Sequence, residues 1–229
     1  MELTGLQVGL LVAGLLLNMV PKFQVLPKYF VTLYHEAGHA FASLITGGGL
    51  LGIRVEKDGS GSTTTSHRSG FKGFFSVFFT KVSGYPAPAF WGVFFVVSAL
   101  HLDYTGLLIS VGLVSLVNIL FSRSLFTLFI SILSVIFPVS VILIKGLQDS
   151  YYFVLNYYIF FGSLIFFGVF KTIKELFDIT RLTPHVETDA FLLSRDTGIN
   201  LWVCFVIILL NSILTLFGVV GVVYFLNMV

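Results

Sequence analysis

The stretch Tyr29-Phe-Val-Thr-Leu-Tyr-His35-Glu36-Ala37-Gly38-His39-Ala-Phe-Ala-Ser-Leu-Ile45 decides how this chain is read. Apart from three ionisable groups it is almost wholly apolar, and Gly47-Gly48-Gly49 ends it. The run predicts a helix over 29–46, close to the roughly 20 residues a bilayer span needs. Ionisable side chains at membrane depth are costly unless they are paired or used. His35-Glu36-Ala37-Gly38-His39 has the His-Glu-x-x-His spacing. On a helix its two histidines share one face and can bind one Zn²⁺, and the glutamate between them can hold and deprotonate a water on that ion. The ion lowers the pKa of such a water to about 7.

The same solvent is written into the rest of the chain. Of 229 residues, 56% are hydrophobic, 16% aromatic and 10% charged, whereas soluble domains carry about 25% charge. Long apolar runs recur from Leu6 to Leu226, which excludes a soluble globular domain with one anchor. The net charge of +2 and the lack of a basic block exclude a nucleic-acid partner. The one cysteine, Cys204, excludes an internal disulfide and a multi-cysteine metal cluster. The apolar start, Leu6 to Val20, lacks a basic flank and a small-x-small cleavage site, so it reads as a retained transmembrane helix.

Spans are expected near 4–20, 29–46, 74–100, 104–121, 124–144, 151–171 and 200–226: seven, with six and eight as the bounds. Gly84, Pro86 and Pro88 interrupt the third, which predicts a kinked, broken or re-entrant helix there. Two polar segments stand apart. In 47–72, Leu51 to Lys57 alternates like a strand, Asp58-Gly59 signals a turn, and Ser62 to Ser66 makes a hydroxyl-rich return strand. The segment 171–199 has the densest ionisable cluster and reads as a polar loop before the last helix. Seven alternating spans put the N terminus, both polar segments and Arg123 on one side, leaving Lys22, Lys28 and Lys145 opposite. The positive-inside rule makes the first side cytosolic.

A catalytic zinc needs a third protein ligand. Candidates are Asp189, His185, Glu187, Asp103, His101, His67 and Asp58. Asp189 is the first choice, because it lies on the side that the Gly47 end of the motif helix faces. His185 and Glu187 can support it, and His67 can stabilise an oxyanion.

At these residues the chain resembles the site-2 protease clan of intramembrane zinc metalloproteases, most closely the compact peptidase M50B-like membrane proteins. The resemblance includes Thr46-Gly47-Gly48, Gly52-Ile53-Arg54-Val55 leading to Gly59-Ser60-Gly61, Ser83-Gly84-Tyr85 with Phe90-Trp91-Gly92, and Thr188-Asp189-Ala190 with Thr197-Gly198-Ile199. It covers most of the chain. It implies that His35, His39 and Asp189 are zinc ligands and Glu36 the general base. The chain departs from better-known site-2 proteases, whose third ligand comes from an Asp-Gly pair after an Asn-Pro-rich motif. Here that motif is missing, and the only Asp-Gly is Asp58-Gly59. Pro86 and Pro88 also stand where small residues are usual.

The expectation is therefore an all-α polytopic membrane protein with a small β-hairpin after the motif helix, a single integral-membrane metallopeptidase domain over 1–229. It would cleave membrane-spanning protein substrates within the lipid bilayer by metal-activated water. Thr63, Thr64 and Thr65 are candidates for a strand edge that holds an unwound substrate. The alternatives are a catalytically silent regulator that binds membrane helices, and a metal transporter. Retention of Glu36 speaks against the first, and the near absence of Asp and Glu from the other spans speaks against the second.

Overall fold

The computed structural model describes residues 4–101 and 104–226; Asp103, one of the ligand candidates, lies outside them. The chain is mostly helical, 76%, with one small antiparallel sheet. In order the elements are α1 (Gly5–Met19), α2 (Val25–Ile45), β1 (Gly49–Val55), β2 (Gly61–Ser66), α3 (Gly70–Val82), α4 (Pro86–Leu100), α5 (Tyr104–Leu120), α6 (Leu125–Leu182), α7 (Asp189–Thr197) and α8 (Leu201–Leu226). Among the described residues, Tyr152–Leu182 and Leu201–Gly218 are long and apolar enough to cross a membrane; the α3–α4 pair adds a third if it is one bent span. The expected seven spans therefore stand at two or three by length and hydropathy. The helices Gly5–Met19, Thr105–Leu120 and Leu125–Ile136 are apolar but shorter. Leu120, Leu125, Leu214 and Phe217 are exposed, an apolar exterior suited to lipid.

The core forms where α2, α4, α5 and α6 meet, around Tyr34, Phe95, Val114, Tyr158 and Ile165. Small residues let α4 and α6 cross at backbone contact: a Cβ on Gly92 would lie 2.9 Å from the Gly162 carbonyl oxygen, and one on Gly162 would lie 2.7 Å from that of Gly92. α1 belongs to the same bundle, because Asn18 Nδ2 donates to the Leu164 carbonyl at 3.0 Å.

Three expectations change. The helices placed at 124–144 and 151–171 are one continuous helix, α6, and 171–199 is its C-terminal end plus α7 rather than a loop. Losing one chain reversal moves Lys171 to the other end of the bundle, where its Nζ donates to Gln24 Oε1 at 2.5 Å in the α1–α2 connection. The hairpin tip reaches that same end of α2. Lys28 Nζ donates to the Asp58 carbonyl at 3.0 Å, Tyr29 Oη to that of Lys57 at 2.6 Å, and Thr32 Oγ1 to that of Gly59 at 2.8 Å. The sheet thus lies along α2 instead of projecting beyond its end. The charge partition behind a cytosolic N terminus is lost, since Lys28, Lys57 and Lys171 sit together.

The break expected in 74–100 is present, with α3 and α4 bent by 56°. Pro86 opens α4, a position where its missing N–H costs nothing. In the hairpin, β1 pairs β2 with Ile53 opposite Thr63 and Val55 opposite Gly61. Asp58 Oδ1 accepts from Ser60 N at 2.9 Å and from Ser60 Oγ at 2.7 Å. These bonds hold its carboxyl below the usual carboxylate range. Gly59 has φ +82, so Gly59→Ala is expected to destabilise the fold by about 1–2 kcal/mol, read as a lower thermal-unfolding midpoint in detergent.

Candidate metal centre

The motif helix brings His35 and His39 onto one face, as their spacing requires. Their Nε2 atoms are 3.0 Å apart. The third member arrives from 150 residues away. Asp189 Oδ2 lies 2.9 Å from His35 Nε2 and 3.2 Å from His39 Nε2. These three residues form a group able to hold a metal ion, with their ligand atoms all within 4.8 Å of one another. Two Nε2 atoms this close cannot both direct protons at each other, so a cation facing both lone pairs and the carboxylate suits them better. Tetrahedral zinc with ~2.0–2.1 Å bonds holds its ligands about 3.3 Å apart; the observed separations fit that ion.

Each ligand is oriented by a neighbour. His39 Nδ1 lies 2.5 Å from the Thr80 carbonyl oxygen. A proton on Nδ1 is donated there, which leaves Nε2 as the lone-pair nitrogen. The same carbonyl accepts from Ser83 Oγ at 2.8 Å. In a continuing helix it would serve the amide four residues on, so the break after α3 and the orientation of His39 share one cause. His35 has the Tyr85 ring edge-on at 4.6 Å and 89°. Asp189 is the first residue of α7, behind the N-cap Thr188 whose side chain accepts from Phe191 N. Ala190 and Leu193 anchor that helix in a cluster with Val82, Leu176, Cys204 and Ile208.

Glu36, on the next position of α2, is 4% exposed. Thr63 Oγ1 donates to Glu36 Oε2 at 2.7 Å and lies 3.1 Å from the Glu36 carbonyl oxygen. Strand β2 therefore runs directly past the carboxylate. Among the described residues none pairs with its far edge. Ile53 uses its N–H on the Phe121 carbonyl and its carbonyl on the Arg123 N–H, so Ile53 and Thr63 form a pair that does not exchange backbone bonds. The Thr63 N–H and C=O consequently point away from β1. A cavity of about 480 Å³ joins this strand to His35, Glu36, His39 and Asp189, with Val31, Leu176, Ile179 and Leu192 as apolar wall.

The remaining candidates lie elsewhere. His67 does not line the cavity; it bridges Thr65 Oγ1 and Ser76 Oγ, each at 2.8 Å, and so ties β2 to α3 rather than facing an oxyanion. Asp58 is spent in the hairpin turn. Glu187 lines the cavity but pairs with Arg195 at 3.3 Å. His185 is exposed between α6 and α7, and His101 ends α4. Sequence reasoning missed Thr80, because a backbone carbonyl carries no residue-type signal. Tyr85 was visible only as part of a landmark.

A family model described as Peptidase M50B-like matches residues 8–219. The chain belongs to the peptidase M50B-like family. The match bears out the resemblance to the site-2 proteases and, with the apolar helices, makes this an integral membrane protein of a protease family. No curated protein and no solved structure matches the chain.

Two measurements follow from the geometry of this M50B-like centre. A Cβ on Gly84 would lie 2.5 Å from His39 Nε2 and 2.6 Å from His35 Cε1; Gly84→Ala is expected to displace the imidazoles and lower the metal content of the purified protein, measured by mass spectrometry. Partial burial, and after it the Lys81 ammonium, hold the His67 pKa below the usual histidine value. The unfolded chain then binds more protons as pH falls through about 6.5. His67 is neutral at pH 7, and stability is lost as pH drops from that value to the folded pKa. An NMR titration of its ring is expected to give a midpoint below that of an unstructured histidine peptide.

Proposed function

We propose that this chain is a zinc-dependent intramembrane endopeptidase that hydrolyses peptide bonds in membrane-spanning protein segments. What supports this reading is one juxtaposition: a His-His-Asp group, a buried glutamate beside it and an open strand edge share one cavity. His35, His39 and Asp189 are the residues that would hold the ion. When bound, zinc supplies Lewis acidity toward a carbonyl and a water of lowered pKa.

The chain's own groups account for the proton and for the substrate's shape. Glu36 takes the proton of the attacking water and returns it to the leaving amine, the work of a general base and then acid. The Thr63 hydroxyl donates to Oε2 of that carboxylate and fixes its direction. A helical substrate has its amides internally paired and must unwind to be cut. The free backbone groups of β2 at Thr63, next to Thr64 and Thr65, replace the lost helical bonds by strand addition. The apolar wall then takes the substrate's hydrophobic side chains.

The deciding experiment compares wild type with Glu36→Gln on a panel of single-span substrates in detergent or liposomes. Glu36→Gln is expected to retain bound zinc and to lose about 10²–10⁴-fold in cleavage rate, whereas Asp189→Asn loses zinc as well as activity. Unchanged cleavage in Glu36→Gln would overturn the peptidase reading. In the Glu36→Gln protein, a bound substrate segment is expected to protect the Thr63 amide from hydrogen exchange. Binding without that protection would refute the strand-addition part alone.

A further inference from the structure

One tyrosine on the cavity wall holds the site through its ring and leaves its hydroxyl without a structural task. Tyr85 stands between α3 and α4, just after Gly84, whose backbone lies against both metal-binding imidazoles, and just before Pro86, which opens α4. Its ring is edge-on to His35 at 4.6 Å and 89°. It also packs beside Val82 and Leu176. The residue lines the cavity that holds Glu36 and Asp189. Yet its hydroxyl makes no hydrogen bond to any described residue. Other buried or half-buried hydroxyls of the same wall are committed, Thr32 to the Gly59 carbonyl, Thr63 to Glu36 and Thr172 to the Val169 carbonyl, whereas Ser62 stands exposed on the hairpin. A half-buried tyrosine normally finds a partner for its O–H, and a free donor on a rigid ring beside an ion site suits a partner that comes with the substrate.

We propose that Tyr85 is a catalytic residue whose hydroxyl donates a hydrogen bond to the carbonyl oxygen of the scissile peptide as negative charge builds there. This rests on the peptidase reading above. The water oxygen bonds to the carbonyl carbon while Glu36 takes its proton, and the carbonyl π pair moves onto the oxygen that Tyr85 faces. When the tetrahedral species collapses, that pair re-forms C=O, the C–N bond breaks, and Glu36 delivers the proton to the nitrogen. Tyr85 keeps its own proton throughout. A donor fixed in place before the reaction does not have to reorganise as charge develops, which is why such groups stabilise transition states.

The test is Tyr85→Phe, which keeps the ring against His35 and removes only the hydroxyl. The expected result is a fall in kcat of about 10²–10³-fold, the usual effect of deleting one oxyanion donor, with KM and zinc content unchanged. A phosphinic peptide, which mimics the tetrahedral species, is expected to bind Tyr85→Phe weaker by a similar factor, while an unmodified substrate peptide binds Glu36→Gln and Glu36→Gln/Tyr85→Phe equally. Wild-type kcat in Tyr85→Phe, or equal phosphinic-peptide affinity, would overturn the inference and leave the peptidase reading standing. A loss of zinc, or an equal loss of ground-state binding, would also overturn it by making Tyr85 a structural residue. If wild type neither cleaves the substrate panel nor binds the phosphinic peptide, the peptidase reading itself fails and the inference with it.

Discussion

The Asp189 carboxylate placed between His35 and His39 is the contact on which the rest of this molecule depends. It joins α2 to a short helix 150 residues later, at 2.9 and 3.2 Å. Three polar groups inside an apolar bundle would each be costly alone. Together they make a cage in which every member has a partner, and the folds around them serve to hold it. The helix break after α3 lends the Thr80 carbonyl to His39. Ala190 and Leu193 wedge α7 against α3 and α8 so that Asp189 points inward.

A second constraint is the seating of the hairpin. Three side chains on one flank of α2 bind three successive carbonyls of its turn. That seating carries β2 past Glu36, and Thr63 locks to the carboxylate. Meanwhile β1 is covered on its outer edge by the Phe121–Arg123 segment. Among the described residues the outer edge of β2 has no partner, and at Thr63 it borders the cavity. Unpaired strand edges are normally hidden because they recruit other chains; here that of β2 lies beside Glu36.

Scarcity of charge is what made the centre findable. With 11 acids and 5 histidines in 229 residues, the His-Glu-x-x-His pattern within an apolar helix stood out, and the list of third ligands was short. The same scarcity leaves the topology open. Apolar runs on either side of Lys145 to Asp149 read as two spans, but hydropathy cannot distinguish a chain reversal from a continuous helix with a polar stretch in it. The charge partition changes with it, since the side assigned to Lys171 and every later charge depends on that reversal.

Local chemistry sufficed for what depends on neighbours along the chain. The helical face shared by His35 and His39, the turn at Asp58-Gly59, the break near Pro86 and Pro88, and the membrane as solvent all follow from spacing, backbone preference and polarity within a few residues. Tertiary structure alone decided that Asp189, rather than His185, Asp58 or His67, meets the histidines. It alone seated the hairpin along α2 and set Thr63 on Glu36, and it alone put Thr80 and Tyr85 at the centre. Those outcomes turn on which helices pack together and on backbone carbonyls, which all residue types share, so no pattern of residue types encodes them.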